Sequence, residues 1–252
     1  MSQVTLTDVD LAALLCSRVC HDIISPVGAI TNGLEVLDDE DDESMKEIAL
    51  DLVRRSAKTA GAKLQFCRMA FGASGSAGAH IDVTEAEQVA RAFVGDEKVQ
   101  LEWNAPRETR PKSQVKLLLN MMLVAMAGIP RGGVVSVSLE GELFSAIAVG
   151  DHAKLPEKPA QLLRGEVAAE DIDPRLVQVY YMMRIADQLG YEVEMTYEER
   201  KVSVVARPKA VREGDVGADA VDAGSEGLVL TEDAEVSDQA PAGDGVVETQ
   251  QS

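Results

Sequence analysis

Aromatic residues are scarce in this chain. They make up 4% of its 252 residues, with a single tryptophan, Trp103. Any core must therefore be aliphatic and rich in alanine and methionine, a composition that leans helical. Cysteine is scarce too. Cys16, Cys20 and Cys67 are an odd number with no CxxC pair, which argues against a disulfide framework or a zinc site. No stretch holds the roughly 18 uninterrupted apolar residues of a membrane span. The N-terminal residues lack a basic region leading into an apolar run, so no secretory signal is expected. Positive charge is also in deficit: 24 Lys and Arg against 43 Asp and Glu leave a net charge of -19. Such a surface repels nucleic acid and anionic membrane, so neither is expected as a partner. Together these absences describe a cytoplasmic protein. The 46% of hydrophobic residues suffices for one large or two modest domains.

Spacing organises the first region, residues 7–73. Cys16, Cys20, Ile23, Val27, Ile30, Leu34 and Leu37 recur at alternating intervals of four and three, the heptad pattern of a bundle helix. Six acids, "DDEDDE" at 38–43, then form a solvated turn that suits the N-terminus of a second helix. That helix starts near Glu43 and repeats the pattern through Val53, Ala57, Ala60, Leu64, Cys67 and Phe71. Two such helices make an antiparallel hairpin with each seam half covered. A second copy would complete a four-helix bundle, so a twofold homodimer is expected.

"GASGSAG", residues 72–78, reads as a flexible linker. Beyond it, residues 79–209 alternate helical and strand patterns. "TEAEQVARAFV" is a helix with Thr84 as its cap, and "VQLEWNA" is a strand. "KSQVKLLLNMMLVAMAGI" is a long buried helix, and "GGVVSVSLEGELFSAIAVGDH" is a strand pair. "DPRLVQVYYMMRIADQLG" is a helix with Pro174 in its first turn and Gly190 at its end, and "YEVEMTYEERKVSVVARP" is a last strand pair. This is an α/β layered domain. The segment 210–252 carries eleven acids and one Arg from residue 211 onward, with many Gly and Ala, and is expected to be disordered.

Within the first helix, "HDIISP" is a defect in an otherwise regular pattern. Pro26 falls five residues after His21, where a proline costs a helix about 3 kcal/mol and leaves the Asp22 carbonyl without its usual donor. With Cys20 and Ile23 at positions a and d, His21 falls at b, Asp22 at c, Ser25 at f and Pro26 at g. His21 and Asp22 should then point outward. An exposed histidine on a helix is ordinarily an unremarkable polar residue. Here an acid beside it, a proline one turn on and a rigid seam beneath set it apart.

The stretch "HDIISP" resembles the phosphoacceptor motif of two-component histidine kinases, which lies in the first helix of a dimeric hairpin bundle. The resemblance implies His21 as phosphoacceptor, Asp22 as its acidic neighbour and Pro26 as a kink that leaves room for a partner domain. Neutral imidazole is a good nucleophile, and its phosphorus–nitrogen bond stays reactive enough to pass the group on. Asp22 could hold the other ring nitrogen, and Arg18 could neutralise a phosphoryl group. Ser25 and Pro26 complete the supporting set.

Residues 79–209 resemble the same family's ATP-binding module, with Asn120 and Asp151 as remnants of a nucleotide site. The departures matter more. Where the family pattern D-x-G-x-G carries glycines, "DHAKLP" has Ala153 and Leu155, and "DPRLVQ" replaces a second Gly-rich segment. Glycines in such loops let backbone N–H groups close on phosphates. The resemblance thus implies a degenerate ATPase-like α/β sandwich behind a phosphotransfer hairpin, as in ChpT-type histidine phosphotransferases of alphaproteobacterial cell-cycle relays. What it implies is transfer from the receiver domain of a hybrid histidine kinase, through His21, to response-regulator receivers, without ATP. It implies no cofactor and no metal site in this chain, since the receiver supplies Mg²⁺. Ile24, Gly28 and Thr31 would form the receiver-binding strip. A non-catalytic dimeric scaffold that binds receivers is the competing reading, and a residual ATPase a third.

Overall fold

The computed structural model describes residues 5–39, 41–72, 79–95 and 98–210. Residues 73–78 of the expected linker, and the expected acidic tail from residue 211 on, lie outside the described residues.

Two long helices open the chain, α1 (Asp8–Asp39) and α2 (Glu43–Ala70). Thr7 starts α1, its Oγ1 accepting the Asp10 N–H at 3.1 Å. Asp42 caps α2 by accepting the Ser44 N–H at 2.8 Å, the use expected of the acidic turn. The helices pack against each other as the predicted hairpin. They come close at Gly33, where an added Cβ would sit 2.7 Å from Val53 Cγ2 and 3.2 Å from the Ala49 carbonyl oxygen. By length and apolar content α1 could also cross a membrane, which the search for uninterrupted runs did not register. Its polar residues Arg18, His21 and Asp22 fall mid-helix.

The face that α1 turns to α2 differs from the expected seam. Pro26 and Gly33 are buried and Asp22 is half-buried, while Cys16, Cys20, Val27 and Leu34 stay exposed. A bundle helix carries a broad apolar face serving two neighbours. The heptad reading had picked out the stripe beside the hairpin contact, so its assignment of Asp22 to the outside is corrected.

The rest comprises β1 (His80–Asp82), α3 (Val83–Val94), β2 (Val99–Asn104), β3 (Thr109–Pro111), α4 (Lys112–Met126), β4 (Gly133–Glu140), β5 (Leu143–Val149), α5 (Glu157–Leu163), α6 (Val177–Gln188), β6 (Tyr191–Glu198) and β7 (Lys201–Pro208). Five strands form one sheet in the order β2-β4-β5-β7-β6, with β2 and β4 parallel and the other neighbours antiparallel. Val135, Val137, Phe144, Ala146, Ala148, Val202 and Val204 alternate onto the buried face, which α4 and α6 cover. The short β1 and β3 pair separately.

Several expected boundaries shift. Asp82, not Thr84, caps α3, its carboxylate accepting the Thr84 N–H at 2.7 Å. Helix α6 begins at Val177, so Pro174 belongs to the preceding turn, where Asp173 Oδ1 accepts the Arg175 and Leu176 N–H groups. Trp103 packs against the core from edge strand β2, as its place in the sequence implied.

The hairpin is seated in the α/β part. Phe66, Met69 and Ala70 at the end of α2 share one core with α4 and the sheet, and Leu11, Leu14 and Leu15 of α1 pack on it. The Phe66 and Phe93 rings lie 4.1 Å apart between centroids. Residues up to Ala210 form one compact unit.

Candidate functional site

His21 projects from the middle of α1 with its side chain 73% exposed. Its Nδ1 lies 3.5 Å from Asp22 Oδ1. The other carboxylate oxygen, Asp22 Oδ2, accepts the Arg18 Nε–H at 2.9 Å across one helical turn. Asp22 is 21% exposed, so this pair is partly withdrawn from water and the carboxylate is held from both sides. A ring proton on Nδ1 would face the carboxylate and leave the lone pair on Nε2.

Pro26 has no N–H for the Asp22 carbonyl. The structure supplies a substitute from the other helix: Lys63 Nζ of α2 donates to the Asp22 carbonyl oxygen at 3.0 Å. Helix α1 continues through Pro26 to Asp39. Beneath the site Cys67 is buried, and its thiol is pushed up to about 11, by burial first and then by the Asp22 carboxylate, with Arg18 and Lys63 opposing. Cys67 thus lies within electrostatic reach of Asp22, Arg18 and Lys63.

Sequence reasoning did not single out Lys63. A signal was present, because Asp22 and Lys63 each lie about twenty residues from the Asp42 turn. Folding the hairpin at that turn brings them opposite each other.

His21 faces a cleft of about 780 Å³. Arg18, His21 and Asp22 form one wall. The opposite wall comes from the C-terminal end of α4, Lys158 at the start of α5, and Asp173 and Arg175 before α6. On the open side of α1, Ile24, Gly28 and Thr31 are exposed on the strip that begins at His21. An added Cβ at Gly28 would meet nothing within 4 Å. Ser25 is exposed beside this strip.

The two nucleotide-site candidates are placed apart from the cleft wall. Asn120 is fully buried, its Nδ2 donating to the Ala70 carbonyl at 3.1 Å and to the Lys116 carbonyl at 2.8 Å. It ties α4 to the end of α2. Asp151 is exposed and pairs with Arg200 Nη1 at 2.9 Å. Ala153, where the pattern would have glycine, is buried, its carbonyl accepting the Tyr197 hydroxyl at 3.2 Å.

Residues 83–201 match the family described as the histidine phosphotransferase C-terminal domain. The protein phosphotransferase ChpT of Brucella abortus (strain 2308) is 45% identical over 196 residues, spanning 76% of this chain and 92% of that protein. The chain belongs to the ChpT family of histidine phosphotransferases. A solved bacterial phosphotransferase, 41% identical, superposes with a TM-score of 0.75 over 82% of this chain and all of its own. The ChpT-family fold thus covers the hairpin and the α/β part together, which agrees with their shared core.

Proposed function

We propose that this chain is a phosphorelay histidine phosphotransferase in which His21 carries the phosphoryl group between receiver domains. The observation that carries the reading is the exposed imidazole lining the cleft, with Nδ1 turned to Asp22. In the forward step the Nε2 lone pair attacks the phosphorus of a receiver's aspartyl phosphate. The phosphorus–nitrogen bond forms, the phosphorus–oxygen bond breaks, and the aspartate leaves as its carboxylate. Nδ1–H stays against Asp22, whose charge offsets that developing on the ring. Arg18 holds Asp22 in place and lies at the same cleft wall. The reverse step on a second receiver delivers the group.

In this reading the receiver brings its own Mg²⁺, and Ile24, Gly28 and Thr31 receive its docking helix. The chain works as a cytoplasmic homodimer in a cell-cycle type of relay, fed by a hybrid kinase and serving response regulators. Val27, Leu34 and Leu64 support the dimer, since the hairpin leaves them 46%, 48% and 50% exposed. Burying a side chain of this kind contributes about 1.5–3 kcal/mol. The chain does not take phosphate from ATP. Asn120 is occupied with backbone carbonyls and a buried alanine stands in the former glycine loop, and both support that statement.

The test is a transfer assay. A receiver loaded with labelled phosphate is mixed with wild type and with His21→Ala, beside a lane given labelled ATP alone. Label on wild type from the receiver only is the expected result. Label from ATP would overturn the no-kinase reading. No label from either source, with receivers still bound, would make the chain a scaffold.

A further inference from the structure

Lys63 lies on α2, across the hairpin from the phosphoacceptor, and the proposed function above assigns it no part. A lysine beside an aspartate ordinarily forms an ion pair. Here the Asp22 carboxylate is engaged by Arg18 on one oxygen and faced by His21 on the other. Lys63 Nζ goes instead to the Asp22 backbone carbonyl, at 3.0 Å. That carbonyl is the one Pro26 leaves without an intrahelical donor. A partly buried carbonyl needs a partner, and an ammonium is a strong one.

We infer that Lys63 is a positioning residue for phosphoryl transfer: its ammonium replaces the backbone donor that Pro26 lacks, and so fixes the peptide after Asp22, which holds the Asp22 carboxylate against the imidazole. The inference rests on His21 being the phosphoacceptor. Asp22 is then held at three oxygens by three side chains, the carbonyl by Lys63 and the carboxylate by Arg18 and His21. Loss of Lys63 frees the peptide to rotate, which moves the carboxylate relative to Nδ1. Proline and lysine form a matched pair, in which the proline removes a donor from the helix and the lysine returns one from outside.

The matched pair makes a double-mutant cycle decisive. Lys63→Met, Lys63→Arg, Pro26→Ala and the Lys63→Met/Pro26→Ala double variant are prepared as full chains. His21 is phosphorylated with phosphoramidate, a small donor that needs no receiver. Its phosphorus–nitrogen bond breaks as Nε2 attacks, and ammonia leaves after taking a proton from solvent. Nitrogen-15 NMR of the ring gives the share of the Nδ1–H tautomer, with His21→Ala identifying the signal. Lys63→Met should lower the labelling rate about tenfold and shift the tautomer share in a chain that circular dichroism shows still folded at the assay temperature. Lys63→Arg should retain a rate within about threefold. In the Pro26→Ala background, where residue 26 again donates to the Asp22 carbonyl, Lys63→Met should change the rate by less than about twofold. Equal losses in both backgrounds, or an unchanged rate and tautomer share in Lys63→Met, would overturn the assignment. If wild type takes no label at all, the phosphoacceptor reading fails. The tautomer cycle still decides whether Lys63 sets the ring, because that measurement needs no turnover.

Discussion

Glycine-to-alanine substitution at two positions of α1 should change stability in opposite directions. At Gly28 an added Cβ meets nothing within 4 Å. Only the backbone term then acts, and alanine stabilises a helix interior by about 0.5–1 kcal/mol relative to glycine. At Gly33 the same methyl would sit 2.7 Å from Val53 Cγ2 and 3.2 Å from the Ala49 carbonyl. The carbonyl is main chain and cannot turn aside. Valine is stiff at χ1, so its methyl yields only by an unfavourable rotamer. The helices must separate locally, and overpacking of this kind costs about 1–3 kcal/mol. The propensity gain offsets up to about 1 kcal/mol of that. Gly33→Ala therefore falls below Gly28→Ala by about 1–3 kcal/mol, or about 2–12 °C in melting temperature at this size. Both variants and wild type are melted by circular dichroism at one protomer concentration, because a dimer's midpoint moves with concentration. Gly28→Ala should melt above wild type and Gly33→Ala at or below it. A rise of equal size in both would refute the close approach of α1 and α2 at Gly33.

Asn120→Ala removes the side-chain donor to the Ala70 carbonyl, which should cost about 1–3 kcal/mol of stability while transfer per folded molecule stays unchanged. A lost transfer rate at an unchanged melting temperature would instead place Asn120 in the chemistry. Cys67 gives a pH signature. Its thiol is raised from 9.0 to about 11, so the folded state holds the proton where the unfolded chain loses it. That contribution is complete below pH 9 and is lost as pH rises towards 11, so the stability of wild type relative to Cys67→Ala should shrink over that window in urea titrations. A difference that does not change with pH would count against the buried thiol. In the proposed homodimer, Leu34→Asp puts a charge on the exposed apolar stripe and should yield protomers by light scattering. An unchanged dimer mass would exclude that stripe as the interface.

The hairpin was legible because two helices of about thirty residues each repeat a strong pattern on either side of an acidic turn. What the pattern could not say is which of two adjacent apolar stripes faces the chain's own second helix. That ambiguity sent Asp22 outward in the reading and half inward in the structure. The strands β2, β4, β5, β6 and β7 alternate clearly and were found. The three-residue β1 and β3 and the seven-residue α5 were not, since so few residues show no period. His21 stood out through its neighbours Asp22 and Pro26, all within one short stretch. Lys63, Cys67 and the opposite wall at Lys158 and Arg175 are distant in sequence and joined only by packing. Asn120 was noticed for a resemblance, and its burial against the end of α2 gives it a different task.

That task bears on how the molecule presents its histidine. In a chain whose hairpin hung on a flexible linker, the wall opposite His21 would wander. Here Asn120 binds the Ala70 carbonyl, the Tyr181 hydroxyl reaches the Phe71 carbonyl at 3.4 Å, and Lys116 Nζ meets the Tyr181 hydroxyl at 3.2 Å. Two polar side chains thus reach carbonyls at the C-terminal end of α2 from the α/β side, where a helix otherwise leaves carbonyls without donors, and Lys116 backs one of them. The same contacts fix the distance between α1 and the turn before α6, the two sides of the cleft. The cleft in front of His21 is thus framed by two parts of the chain that share one core. A site framed in this way suits the proposed phosphotransfer, in which His21 would meet each receiver with the same geometry.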